Sequence, residues 1–257
     1  MPIGLGGEKI WLCPTLGGNN LDLSGNANYG TYAGGMGVVV DKYKGKQAYG
    51  LDGIDDYIDL GNAVNPVASF SISFWARTSV TAQQMFVSKN FSASREPYIV
   101  RRDSGGGVLR FYTYQGSLYG TSVANPFTIN EWASVVCVFN GISHAIYFNG
   151  EKVAETVTNQ PAFNNSASLY IGDTTVTGWN VSGAMDDVRF FNRALSSQEC
   201  AYLALQRGIE GSPLNPLITL KSRVSKTILS RAEEPAFNNW YARPGRTNRI
   251  VGSGVHV

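Results

Sequence analysis

Side chains suited to acid–base or covalent chemistry are scarce in this sequence. It has two histidines, His144 and His256, far apart and without an accompanying Ser or Cys motif, so a Ser-His or Cys-His hydrolase is not expected. Its three cysteines, Cys13, Cys137 and Cys200, are an odd number without metal-ligand spacing, which gives neither a disulfide framework nor a zinc site. Cys137 lies in the apolar run WASVVCVF and is expected to be a buried thiol. No apolar run approaches the ~20 residues needed to span a bilayer. The opening MPIGLGGEKIWLCPTLGG lacks a basic start followed by a long apolar core, so no signal peptide is expected. Reduced thiols then point to assembly in a cytoplasm. The glycine-rich DSGGGVLR lacks the Lys-Ser/Thr pair and following helix of a phosphate cradle and reads as a hairpin turn.

Charge is also sparse, at 16% of residues, and it is unevenly placed. Residues 1–212 carry a net −3 and residues 213–257 a net +5, an acidic body followed by a basic tail. The tail mixes its arginines with Phe237, Trp240 and Tyr241, and two prolines open it. The domain boundary is therefore placed at 212/213.

The sequence does hold many Gly, Asn, Ser and aromatic residues, a mix that favours short strands and tight turns. SFSISFWART alternates, with Phe70, Ile72 and Phe74 on one side and Ser69, Ser71, Ser73 and Trp75 on the other, as in a half-buried strand. EWASVVCVFNG is more continuously apolar, as a central strand covered on both faces would be. HAIYFNGEKVAET predicts a hairpin, because Asn149-Gly150 supplies the positive φ of a two-residue turn. SASLYIGD, GAMDDVRFFN, YIVRRD and GVLRFYTYQ predict further strands. One helix is expected near 197–207, with Ser196 and Glu199 as a capping box and Arg207-Gly208 closing it. Many strands and one short helix imply an all-β fold of two packed antiparallel sheets.

The segments LDLSGNANYGTYAGG, YGLDGIDDYIDLGN, FSISFWART, WASVVCVFNGISHAIYFNGEKVAE, LYIGD and GAMDDVRFFNRALSSQEC occur in the order seen in laminin-G-like domains. The chain resembles this family, within the concanavalin-A-like lectin and glucanase jelly rolls, over about residues 8–208. The resemblance implies a two-sheet jelly-roll sandwich that is usually non-catalytic and usually binds glycans or proteins. It also implies that a structural calcium ion is one possible cofactor, for which Asp22 and Asp187 are the least arbitrary ligands.

LDGIDDYIDLG, with Asp52, Asp55, Asp56 and Asp59, admits turn, metal and catalytic readings. As a strand it would place Ile54, Ile58 and Leu60 on one face and Tyr57 and Asp59 on the other, with Asp55-Asp56 where a turn enters. Related glucanases resemble one another in a strand with Glu-x-Asp-x-x-Glu, whose carboxylates flank the sugar bond. The nearest match here, AMDDVRFF, has Asp186-Asp187 but no glutamate on either side. Adjacent strand residues point to opposite faces, so no glycosidase is expected.

Sugar binding would use flat aromatic faces with nearby amides. The candidates are Trp75, Tyr112, Tyr114, Tyr119 and Trp179, with Asn164, Asn165 and Asn180 on loops; Trp179 in TGWNVSG is the first choice for an exposed aromatic. The expected function is a non-catalytic, lectin-like structural protein displayed on a larger assembly, a virion assembled in a host cytoplasm. The tail would be its anchor to other subunits, through Phe237, Trp240, Tyr241, Arg243, Arg246 and Arg249. Surface glycans are possible partners, and nucleic acid is not expected. The alternative is a free bacterial carbohydrate-binding or adhesion module outside the cell.

Overall fold

A computed structural model describes residues 5–14, 21–40, 46–66, 68–89, 96–104, 107–114, 117–124, 126–159, 164–173 and 178–206. The tail at 213–257, with the anchor residues expected there, lies outside the described residues, as do Arg207 and Gly208.

Two antiparallel sheets pack face to face. One is built from β1 (Glu8–Leu12), β3 (Gly37–Val40), β4 (Gln47–Asp52), β6 (Phe70–Thr78), β11 (Ala133–Phe139), β12 (Ser143–Phe148), β13 (Glu151–Val157) and β15 (Ser182–Phe191). Its order is β13-β12-β11-β6-β15-β4-β3, with β1 paired to β15. The other contains β2 (Thr31–Ala33), β5 (Tyr57–Asp59), β7 (Gln84–Lys89), β8 (Glu96–Arg102), β9 (Leu109–Tyr114), β10 (Leu118–Val123) and β14 (Leu169–Ile171), in the order β10-β9-β8-β7-β14-β5-β2. Neighbours in space are often distant in sequence, as in a jelly roll.

The core lies between the sheets. Ile72 and Phe74 of β6, Phe86 of β7, Phe111 of β9, Val135 of β11 and Phe190 of β15 are fully buried in it. Phe74 and Phe86 stack across the layer with centroids 5.3 Å apart, within the range aromatic pairs prefer. Burying rings of this size supplies the main driving force for the fold.

β11 is buried along its whole length, as its continuous apolar sequence requires. Asn149 (φ 51°) and Gly150 (φ 89°) form the two-residue turn between β12 and β13. Helix α1 (Ser197–Leu203) has the full capping box: Ser196 accepts from the Glu199 amide, and the Glu199 side chain accepts from the Ser196 amide. The helix is shorter than the 197–207 expected, since Ala204 caps it.

Three expectations are corrected. The serine face of β6 is not solvated: Ser71 and Ser73 are buried. Ser71 Oγ donates to Arg193 O and accepts from Leu195 N, so the chain leading into α1 covers that face. In LDGIDDYIDLG, Ile54 does not share a strand face with Ile58 and Leu60. The segment leaves β4 of one sheet, turns at Gly53 (φ 84°) and enters β5 of the other. Ile54 sits in that turn, 74% exposed, while Ile58 is buried. Finally, strict alternation fails at Asp186-Asp187, where Asp187 adopts φ 51° and the β15–β6 register shifts. The bulge buries both carboxylates.

Candidate functional site

The outer face of the seven-stranded sheet brings aromatic, cationic and hydroxyl side chains together. Period two in β8 and β9 sends Tyr98, Val100, Leu109 and Phe111 into the core. The alternate residues Ile99, Arg101, Arg110, Tyr112 and Tyr114 face outward, with Ile99 opposite Tyr112 and Arg101 opposite Arg110. Met85 of β7 joins Ile99 and Tyr112 in a small second apolar cluster, on which Tyr114 and Trp179 pack.

Trp179 is held there by backbone. Gly178 turns the chain at φ 87°, Met85 N donates to Trp179 O at 2.6 Å, and Val181 N donates to Gly172 O at 2.9 Å. Trp179 is therefore half-buried on the sheet and not the free-standing aromatic expected. The Arg101 guanidinium lies 4.8 Å from the Trp179 ring centroid and 5.0 Å from that of Tyr112, a cation between two π faces. Arg101 Nε is 2.7 Å from Asp103 Oδ1, and Arg110 Nε donates to Asp103 Oδ2. One carboxylate thus serves two guanidiniums, leaving the patch net positive.

Beside this stack an open groove of about 240 Å³ runs across β9 and β10, lined by Arg110, Tyr112, Leu118, Gly120, Thr121, Ser122 and Thr156. Gly120 is opposite Tyr112. A Cβ there would fall 2.2 Å from Phe111 O and 2.5 Å from Tyr112 Cβ, so only glycine leaves room at this point. Thr156 Oγ1 donates to Thr121 Oγ1 at 3.1 Å and ties the groove to β13. Tyr112 is itself buried with Arg101 over its ring, so the groove offers chiefly hydroxyls and positive charge, which suit a hydroxyl-rich ligand whose acidic substituent would meet Arg110.

The other sequence candidates lie elsewhere. Asn180 follows Trp179 and is buried. Trp75 is on the outer face of the eight-stranded sheet, between Ser134 and Asp186. Asn165 caps the turn before β14, accepting from Ala167 N at 3.1 Å. Asp22 and Asp187 meet through Trp11, whose backbone N donates to Asp22 Oδ1 (2.9 Å) and whose Nε1 donates to Asp187 Oδ1 (2.7 Å). Asp22 also accepts from Ser24 and Asn28, and Asp187 forms a buried bidentate pair with Arg189 at 2.9 and 2.8 Å. The carboxylates that do converge, among the described residues, are Asp52, Asp55 and Asp56, with ligand oxygens within 4.8 Å of one another. Asp52 Oδ1 already accepts from Ile54 N, and Asp56 Oδ2 from Asp52 N, which is the turn chemistry of this stretch. Burial, together with Asp52 and Asp55, holds the Asp56 carboxyl above its usual range.

Arg101, Met85, Ile99, Arg110 and Gly120 escaped the sequence reading. The alternation of YIVRRD and LRFYTY marks their faces, but only the pairing of strands β7 to β10 brings them together.

No curated protein sequence matches the chain. Solved structures do match in fold. Domain 4 of AbnA, a GH43 extracellular arabinanase from Geobacillus stearothermophilus in complex with arabinotriose, aligns with TM-score 0.59 at 16% identity, over 77% of this chain and 98% of that one. The binding domain of Paraclostridial Mosquitocidal Protein 1 aligns with TM-score 0.60 at 17% identity, over 77% and 52%. The binding domain of botulinum neurotoxin DC in complex with SialylT aligns with TM-score 0.58 at 16% identity, over 78% and 51%. The chain thus spans about half the length of these toxin binding domains. At these identities the likeness is one of fold. Residues 52–201, more than half of the chain, match the family model Laminin_G_3 of the Concanavalin A-like lectin/glucanases superfamily, and the chain belongs to that family.

Proposed function

We propose that this chain is a non-catalytic glycan-binding module that recognises its ligand on the outer face of the seven-stranded sheet. The observation that carries the reading is the Trp179–Arg101–Tyr112 stack at the edge of the Gly120 groove. Two matched structures were solved with a saccharide: the arabinanase domain with arabinotriose and the neurotoxin domain with SialylT. The non-catalytic half of the reading rests on the acidic pair of β15. Asp186 and Asp187 are buried, and Asp187 is held by Arg189 and Trp11, so neither can flank a sugar bond. If calcium has a structural role, Asp52, Asp55 and Asp56 are the carboxylates placed to share it, with further oxygens needed to complete its shell.

The module is carried, in this reading, by a larger assembly, a virion in the first instance, with residues 213–257 as the attachment. That part rests on the basic and aromatic composition of the tail. A panel of immobilised neutral, sialylated and sulfated glycans tests the binding. Retention of at least one class is expected, with a loss of about tenfold or more in affinity for Trp179→Ala, as typical for an aromatic anchor. A folded Trp179→Ala protein that binds as the parent does would refute the assignment to this face.

A further inference from the structure

A second open depression, of about 180 Å³, shares no residue with the groove. It forms where β1, the loop that follows it, the loop before β6 and the residue after β15 meet, and its polar lining is Lys9, Asn26, Asn28, Asn65 and Asn192.

The orientation of these amides is fixed by their partners. Asn26 Nδ2 donates to Glu8 O at 2.9 Å and Asn28 Nδ2 to Lys9 O at 2.7 Å. Each amide therefore has its oxygen at the other end, and among the described residues no donor reaches either Oδ1. Asn65 Nδ2 donates to Asn62 Oδ1 at 3.1 Å, leaving its own Oδ1 in the same condition. The Asn192 side chain and the Lys9 ammonium have no partner among the described residues.

The apolar lining is Val64 and the buried Pro66. Val64 adopts φ 52°, a left-handed conformation that a β-branched residue avoids. The strain is held from beneath. Tyr98 Oη donates to Val64 O at 2.9 Å, and the buried Lys89 ammonium donates to Ala63 O at 2.9 Å and Asn62 Oδ1 at 3.0 Å. Backbone strain maintained by two buried donors is a feature of ligand clamps.

We propose that this depression is a second saccharide-binding site, taking a single hydroxyl-rich sugar unit. Sugar hydroxyls donate and accept, and the lining offers both: amide oxygens as acceptors, Lys9 and Asn192 as donors. A metal ion would face the Lys9 ammonium with no carboxylate among the lining residues, and an apolar ligand would leave the amides unpaired. The volume is below that of sites for drug-sized ligands, so it suits one sugar unit better than a chain.

This inference rests on the reading of the chain as a glycan binder, and one experiment separates the two. The full chain is titrated calorimetrically with arabinotriose and with a sialylated lactose trisaccharide. Two sites per chain are expected for at least one probe. The double variant Asn65→Ala/Asn192→Ala, whose side chains are exposed, should keep its melting temperature and drop to one site, as should Trp179→Ala. Arg101→Gln replaces Trp179→Ala if that variant does not fold. A stoichiometry of one that the Asn65/Asn192 variant leaves unchanged overturns the second site and spares the first. A stoichiometry that falls with Asn65/Asn192 but not with Trp179 overturns the outer face and spares the second site. Absence of binding for both probes overturns both.

Discussion

His144 shows how a single side chain sets the response of this fold to acid. It lies in β12, fully buried, with its ring 5.0 Å from Phe111 and 4.7 Å from Phe139, and its Nδ1 is 3.1 Å from Thr158 Oγ1. Burial lowers its pKa from the ordinary 6.5 to about 4. As the pH falls below 6.5 the unfolded chain takes up a proton that the folded chain refuses until about 4. Stability is therefore lost through that window, by about 3 kcal/mol from this group when complete. His144→Phe removes the titration. Its melting temperature should fall less between pH 7 and pH 4 than that of the parent, and parallel profiles would contradict this account.

The same scale shows what a sequence conceals. His144 reads as an unremarkable strand residue, because its neighbours Phe111 and Phe139 come from other strands. Lys89 is a comparable case: it is fully buried, and three uncharged acceptors, Asn62 Oδ1, Ala63 O and Ala167 O, surround its ammonium. Burial lowers its pKa to about 8.

At the scale of elements, local chemistry was the legible part. The Asn149-Gly150 turn, the Ser196–Glu199 capping box and the apolar run of β11 each need only a few consecutive residues, and all three are as the sequence predicts. The cap gives a direct check. Ser196→Ala removes one of its two reciprocal bonds and should lower stability by about 1 kcal/mol, read as a shift of the denaturant midpoint with unchanged slope. No shift would mean that Arg193, whose guanidinium pairs with Glu199 at 2.7 Å, secures this end without the serine.

Elements whose form depends on distant partners were not legible. Asp186-Asp187 appears as a regular strand, yet the register shift against β6 and the pairing of Asp187 with Trp11, 176 residues away, make a bulge. The turn in LDGIDDYIDLG is legible at Asp55-Asp56, yet the crossing between sheets that takes Ile54 off the face of Ile58 is not. The candidate site behaves likewise. Trp179 and Tyr114 were visible as aromatics, whereas Arg101 joined them only through the order β9-β8-β7.

For the chain as a whole, truncation tests the proposed division into sandwich and tail. Under the proposed function, a chain ending at residue 212 should stay folded and bind saccharide as the full chain does, while failing to join a larger assembly. An unfolded truncation would make the tail part of the domain, and normal incorporation would make it dispensable.

Saccharide binding on the outer face of the seven-stranded sheet is the proposal on which the rest depends. Amide and indole NMR of the full chain, titrated with arabinotriose or a sialylated trisaccharide, tests it most directly. Saturable shifts of the Trp179 indole Nε1–H and of the Arg101, Tyr112, Gly120 and Thr121 amides are expected. Saturable shifts that leave this set unmoved would contradict it, as would no shift at all with either saccharide.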